Sequence, residues 1–225
     1  MPLLPDEMKK QVGEALAGLK TPVKLVIFTQ TFECPNCETS RQLLEEVAAL
    51  SDQISVEVYN LVTDPEKVKE YAIDKIPAVA VVGERDYGLR FYGVPAGYEF
   101  TTLIHTVRMV GGAGSQLDEK VQAELRSLTQ PVHMQVFVTP TCPFCPTAAA
   151  IAYEMAYVSP MIRTDVIEST EFPFLSVKYQ IAGVPRTIIN ENTMVEGAAA
   201  PEAVWAKIQE ALAPVAEAKE SADAS

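Results

Sequence analysis

Positive charge is scarce in this chain. Its 18 lysines and arginines face 30 aspartates and glutamates, giving a formal net charge of −12 and a pI near 4.7. A nucleic-acid binder needs a basic face to meet phosphates, so that class is set aside, and no polybasic patch offers itself to an anionic membrane. Long hydrophobic runs are missing as well: none approaches the roughly 18 to 20 residues that span a bilayer. The N-terminus, Met1-Pro2-Leu3-Leu4-Pro5-Asp6-Glu7, lacks the basic start and apolar core of a signal peptide, and the chain reads as cytoplasmic. Histidine is rare. His105 lies in a helical pattern and His133 near a strand start, neither beside a cysteine, which argues against a Cys–His nucleophile pair. What remains, with 48% hydrophobic and 21% charged residues over 225 positions, is the composition of one large globular domain or two of about 100 residues each.

Cysteine is also sparse, and all four cysteines fall in two motifs, Cys34-Pro35-Asn36-Cys37 and Cys142-Pro143-Phe144-Cys145. Each motif follows a short apolar run, Val23 to Phe28 or Val132 to Val138, and precedes a helical pattern, Thr39 to Leu50 or Pro146 to Tyr157. A strand that turns through Cys-X-X-Cys into a helix sets the first sulfur beside free backbone N–H groups and the positive end of the helix dipole. A thiolate is stabilised there and its reactivity near neutral pH rises. The second sulfur, about one helical turn on, can close a short disulfide. Downstream, Ile76-Pro77 and Val184-Pro185 each lie 43 residues from the first cysteine to the proline. That equal spacing points to an internal duplication.

The rest of the chain supports it. Asp6 to Leu19 has one apolar face and reads as a helix; Asp118 to Leu128 repeats it. Ile54 to Tyr59 alternates, with Ile54, Val56 and Val58 on one face, and Arg163 to Ile167 is its partner in the second half. Asp64-Pro65 opens a short helix, matched by Ser169 to Ile181. Ala78 to Val82 and Gly88 to Tyr92 read as a hairpin, matched by Pro185 to Asn190 and Met194 to Glu196. A last helix closes each half, ending near Val110 and near Leu212, the second carrying Trp205 as a packing residue. The glycine-rich run Gly111 to Ser115 reads as a flexible boundary. The expected units are 1–112 and 113–225, with the tail after about 214 frayed. Each should be an α/β fold with a mixed central sheet flanked by helices.

Three readings of the cysteines are open at this level: a redox dithiol in each half, a structural Cys₄ zinc site, or static disulfides. A module that grips peptides without turnover is a further alternative. Proline inside each pair, a helix opening at each pair and the matched downstream prolines favour redox, with no metal.

This element order, with Cys-Pro-X-Cys at a strand-to-helix corner and an aliphatic-Pro pair before the third core strand, resembles the thioredoxin/glutaredoxin fold. Two such units over residues 6 to 213 resemble the two-domain, glutaredoxin-like protein disulfide oxidoreductases of thermophilic archaea and bacteria. The second motif is close to the Cys-Pro-Tyr-Cys of glutaredoxins; the first, with Asn36, is less typical. The resemblance implies that Cys34 and Cys142 attack and that Cys37 and Cys145 resolve. It implies that Pro77 and Pro185 follow cis peptide bonds against the cysteine pairs, and that Ile76 and Val184 offer backbone hydrogen bonds to an extended substrate. The activity implied is the reduction, formation or isomerisation of protein disulfides. No cofactor would be bound. Electrons would come from an NADPH-dependent, thioredoxin-reductase-like flavoprotein, and a role as dedicated donor to a peroxiredoxin is the alternative within redox chemistry.

The buried Asp of thioredoxins, six residues before the first Cys, is replaced here by Phe28 and Val136. Glu57, Asp165 and Glu168 are the nearest acids in the pattern, and each reads as a solvated strand-end carboxylate. Phe91, Tyr92, Tyr98 and Phe100 read as core and interdomain contacts, and Arg186 as half of a surface ion pair. Glu33 precedes Cys34 whereas Thr141 precedes Cys142, so Cys142 is expected to have the lower pKa.

Overall fold

The computed structural model describes residues 2–213, so the expected fraying beyond 214 lies outside the described residues. Each motif-bearing strand is a run of β-branched and aromatic residues that buries both faces: β1 (Val23–Thr29) in the first half and β5 (Val132–Val138) in the second. Each pairs in parallel with the strand that follows its motif helix. β2 (Ile54–Asn60) lies beside β1, and β6 (Ile162–Glu168) beside β5. An antiparallel hairpin completes each half, β3 (Ala78–Val82) with β4 (Asp86–Tyr92) and β7 (Arg186–Ile189) with β8 (Thr193–Glu196). These are the two mixed sheets expected from the duplication.

The two sheets are joined. β4 pairs in parallel with β6, Leu89 opposite Thr164 and Tyr92 opposite Ile167, to give one sheet in the order β2-β1-β3-β4-β6-β5-β7-β8. Leu89 and Tyr92 are fully buried and Phe91 nearly so. Leaving such side chains on an open edge forfeits about 1.5–3 kcal/mol each, and an unpaired edge also invites aggregation.

The helices are α1 (Asp6–Leu16), α2 (Cys37–Ala48), α3 (Pro65–Glu70), α4 (Glu99–Arg108), α5 (Glu119–Arg126), α6 (Cys145–Val158), α7 (Pro173–Lys178) and α8 (Pro201–Leu212). Alternation along the strands divides them. Leu25, Ile27, Val79, Leu89, Met134, Val136 and Ile189 face one core shared with α1, α2, α4, α5, α6 and α8. Val26, Phe28, Ala80, Tyr92, Phe137 and Ile167 face the other, shared with Tyr71 and Leu175 beside α3 and on α7. Both motif helices therefore lie on the same face. Among the described residues no helix is long and apolar enough to cross a membrane.

Some expectations change. α1 ends at Leu16, because the chain turns there so that the Lys20 and Thr21 N–H groups can donate to the Gly111 carbonyl. The run read as flexible is a packed π-helical turn, Met109–Ala113, with Met109, Val110 and Gly111 buried. A Cβ on Gly111 would drive into Leu19, so this glycine serves close packing, not mobility. The face of Ile54, Val56 and Val58 is buried only at Ile54, since β2 is an edge strand and Val58 is exposed. Tyr98 is half exposed, unlike Phe91 and Tyr92.

Candidate active site

Strand direction brings the chemistry to one edge. β1 and β5 run the same way and end at the same edge of the sheet, where each chain turns into its motif helix. β3 and β7 run opposite to them, so Pro77 and Pro185, just ahead of those strands, return to that edge. The peptide bonds Ile76–Pro77 and Val184–Pro185 are both cis. The carbonyl of each proline accepts a 2.9 Å hydrogen bond from a glycine N–H, Gly93 in the first half and Gly197 in the second.

Both cysteine pairs are disulfide-bonded, with Cα atoms 5.4 Å apart in each. In both, the second sulfur belongs to a buried residue at the helix start, Cys37 or Cys145, and the first lies ahead of the helix. Cys34 is partly exposed and Cys142 is nearer the buried limit at 9%. At the second pair the backbone N–H of Cys145, which also reaches the Cys142 carbonyl at 3.4 Å, donates to Cys142 Sγ at 3.1 Å, a helix-end donor of the kind expected to favour a thiolate. Cys142 Sγ also lies 3.8 Å from the Val184 carbonyl oxygen. The exposed rings of Phe32, before the first motif, and Phe144, inside the second, flank the two pairs.

The acids differ from expectation. Only Glu57 is partly solvated, in an ion pair with Lys24. Asp165 and Glu168 are buried. Burial would push Asp165 up, but the His133 hydrogen bond at 2.8 Å and the Arg163 guanidinium outweigh it and hold its pKa below the usual range. Glu168 accepts from the Thr170 and Glu171 N–H groups and shapes the loop after β6. Arg186 pairs with Glu196 across β7 and β8.

Two buried or half-buried acids on elements that pack against the motif turns or helices went unseen in the sequence. Glu99, in the first turn of α4, has no exposed surface. Its Oε2 accepts from Thr102 Oγ1 at 2.8 Å while Oε1 has no partner, and burial pushes its pKa up to about 7. α4 lies along α6: Thr101 and Thr102 face Pro146 and Thr147, and His105 reaches Glu154. At the other end of this contact the Tyr98 N–H donates to the Pro140 carbonyl, two residues before Cys142. A trace of Glu99 was available, because it falls on the buried stripe of Thr102, Leu103, Thr106 and Val107. The second acid is Glu171, after β6. Its Oε2 accepts from Asn36 Nδ2 at 2.6 Å and its Oε1 from the Val94 N–H at 2.7 Å. Nothing local in the sequence marks this contact across 135 residues.

Twin dithiols on a duplicated strand–helix frame define a class, and comparison with known proteins agrees. The thioredoxin domain family model matches residues 23–105 and again 132–210, and the chain belongs to that family. It is 27% identical to a protein disulfide oxidoreductase from Aeropyrum pernix, covering 92% of this chain and 93% of that one with a TM-score of 0.87. It is 28% identical to the N-terminal domain of the alkyl hydroperoxide reductase AhpF of Enterococcus faecalis, covering 93% of this chain and all of that one, with a TM-score of 0.84. Among curated relatives, the AhpF-type alkyl hydroperoxide reductase chain of Pseudomonas aeruginosa is 29% identical over 203 residues, and a Bacillus subtilis NADH dehydrogenase 27% identical over 174. The matches cover 85% and 76% of this chain; it spans about a third of the relatives' length, 37% and 32%.

Proposed function

We propose that the chain is a thiol–disulfide oxidoreductase working through two dithiols, Cys34/Cys37 in unit 1–112 and Cys142/Cys145 in unit 113–225. The observation that carries this is the repeated corner itself: an outer sulfur, a buried inner sulfur at a helix start, and a cis-proline opposite them. The Cys142 thiolate attacks a substrate disulfide, forming one mixed disulfide and releasing one substrate thiolate, which takes a proton from solvent. Cys145, giving up its proton, attacks Cys142 Sγ and frees the second substrate sulfur. Two electrons pass to the substrate and the Cys142–Cys145 disulfide is restored. Glu99, on the helix whose Thr101 and Thr102 face Pro146 and Thr147 and with a pKa near neutrality, is in this reading the group that takes the Cys145 proton. Ile76-Pro77 and Val184-Pro185 form the lip on which an extended substrate segment lies.

The two pairs end strands β1 and β5, four strand spacings apart, or about 19 Å. Within one rigid molecule they do not exchange directly, so each meets partners in turn. The partners are disulfide-containing proteins and an upstream nicotinamide-dependent flavoprotein reductase in the cytoplasm, using NADPH or, as the name of the Bacillus relative suggests, NADH. A second reading is favoured by the alkyl hydroperoxide reductase relatives: electron delivery to a peroxide-reducing partner such as a peroxiredoxin.

The test is reduction of insulin disulfides by dithiothreitol with the intact chain and with the Cys34→Ser/Cys37→Ser and Cys142→Ser/Cys145→Ser variants. Activity in the intact chain that falls in at least one variant supports the reading. No activity in the intact chain overturns it.

A further inference from the structure

We propose that Glu171 is a positioning residue of the first dithiol: a carboxylate lent by the second half that fixes the turn between Cys34 and Cys37 and holds their thiols in the protonated, weakly nucleophilic form. The inference rests on the reading of Cys34/Cys37 as a working pair. Its geometry is bidentate. One carboxylate oxygen takes the side chain of Asn36, the residue between the cysteines and next to Cys37, at 2.6 Å. The other takes the Val94 N–H at 2.7 Å, in the loop that follows the anchor of Pro77. Gly93 sits against the same carboxylate with φ +107, where a Cβ would lie 2.7 Å from Glu171 Oε1. The backbone is thus shaped to admit Glu171.

A half-buried carboxylate is screened less than one in solvent, so its charge acts on the turn in which Asn36 stands between the two cysteines. The surroundings offer little to neutralise it. Glu168, the last residue of β6, accepts from the Glu171 N–H, Glu33 precedes Cys34, and Glu38 is in the first turn of α2. Burial raises the pKa of Glu171, with the charge of Glu168 adding to it and the Val94 and Asn36 hydrogen bonds opposing it. A negative group beside a thiol disfavours the thiolate. The reduced first pair is therefore held back as a nucleophile at neutral pH, while the second, whose Phe144 stands where Asn36 does, carries no such tether.

The test is the rate of iodoacetamide alkylation against pH on reduced full-length chain, with Cys142→Ser/Cys145→Ser as background so that only the first pair reacts. Glu171→Gln keeps the shape and removes the charge: its one carbonyl oxygen can still accept from the Val94 N–H, and its amide meets the Asn36 side chain, which can turn its own oxygen towards it; Glu171→Asp keeps the charge on a shorter arm. Glu171→Gln is expected to move the alkylation midpoint down by about half to one pH unit, a roughly three- to tenfold faster reaction below it. Glu171→Asp is expected to stay within about 0.3 unit of the parent. In the Cys34→Ser/Cys37→Ser background the same substitutions should leave Cys142 unmoved. An unmoved midpoint in Glu171→Gln overturns the proposal, as does an equal shift in Glu171→Asp or at Cys142. Alkylation needs neither partner nor turnover, so a failed insulin assay leaves this readout standing.

Discussion

Cys34 and Cys142 occupy equivalent corners of the same repeated fold, but the two halves furnish those corners differently. The second is the drier: Cys142 is 9% exposed, a helix-end N–H points at its sulfur, and α4 of the other half, which carries buried Glu99, packs along the helix that Cys145 opens. The first is more open, and its middle residue is tied to Glu171 of the other half. Each acid is therefore lent across the seam. Neither has a counterpart in the repeat: carried along by the matching glycines 93 and 197, Glu99 falls opposite Ala203, and by the matching prolines 65 and 173, Glu171 falls opposite Thr63. Duplication supplied two frames, and joining β4 to β6 made each frame part of the other's site.

The largest expected effect breaks the pair apart. Cys142→Ser/Cys145→Ser is expected to lose more than about tenfold in dithiothreitol-driven insulin reduction, the scale of removing a nucleophile, whereas Cys34→Ser/Cys37→Ser keeps a third or more. Turbidity kinetics on the two variants give the ratio.

Glu99→Gln sharpens the comparison next. Turnover at the second site should fall about tenfold, less than the roughly 10²- to 10⁴-fold typical of proton-transfer catalysis because solvent can also take the thiol proton, and lose its inflection near pH 7. Stability should respond in the opposite sense. The folded pKa of Glu99, about 7, lies above its unfolded value near 4.5. Between those values the native state binds the extra proton, so its contribution is full below about pH 4.5 and is lost as pH rises through 7. Urea unfolding of Glu99→Gln should be flatter over that window, and the variant should gain stability over wild type at pH 8, on the order of 1–3 kcal/mol.

The matched glycines come third. Gly93→Ala puts a methyl group 2.7 Å from Glu171 and 2.8 Å from Glu168 at positive φ, whereas Gly197→Ala at φ +71 meets nothing within 4 Å. Urea midpoints should show about 2–3 kcal/mol lost at Gly93 and about 1 at Gly197. Smallest is Phe144→Ala: the ring is 68% exposed, so thermal stability should hold within about 0.5 kcal/mol while insulin turnover drops two- to threefold.

Much of this was legible because it is local. The strands β3 and β5 have the ends read from their apolar runs, and the equal spacing of cysteine and proline is enough to reveal the repeat. What escaped was set by contacts between elements distant in sequence. Asp165 looked like a surface acid, because nothing in the alternation of β6 tells that His133 and Arg163 close over it. The run Gly111 to Ser115 has linker composition, but Gly111 and Gly112 let the chain after α1, at Leu19 and Lys20, pack close. Glu99 left a trace, a charge on an apolar stripe; Glu171 left none, since its partners lie in the other half.

The most direct test compares the two thiols themselves. Iodoacetamide alkylation would be followed from about pH 4 to 9 on reduced protein, for Cys34 in the Cys142→Ser/Cys145→Ser background and for Cys142 in the Cys34→Ser/Cys37→Ser background. The midpoint for Cys142 is predicted to lie at least about one unit below that of Cys34, in keeping with a helix-end N–H on one sulfur and a carboxylate beside the other. Equal midpoints, or a lower one at Cys34, would contradict the difference drawn here between the two corners.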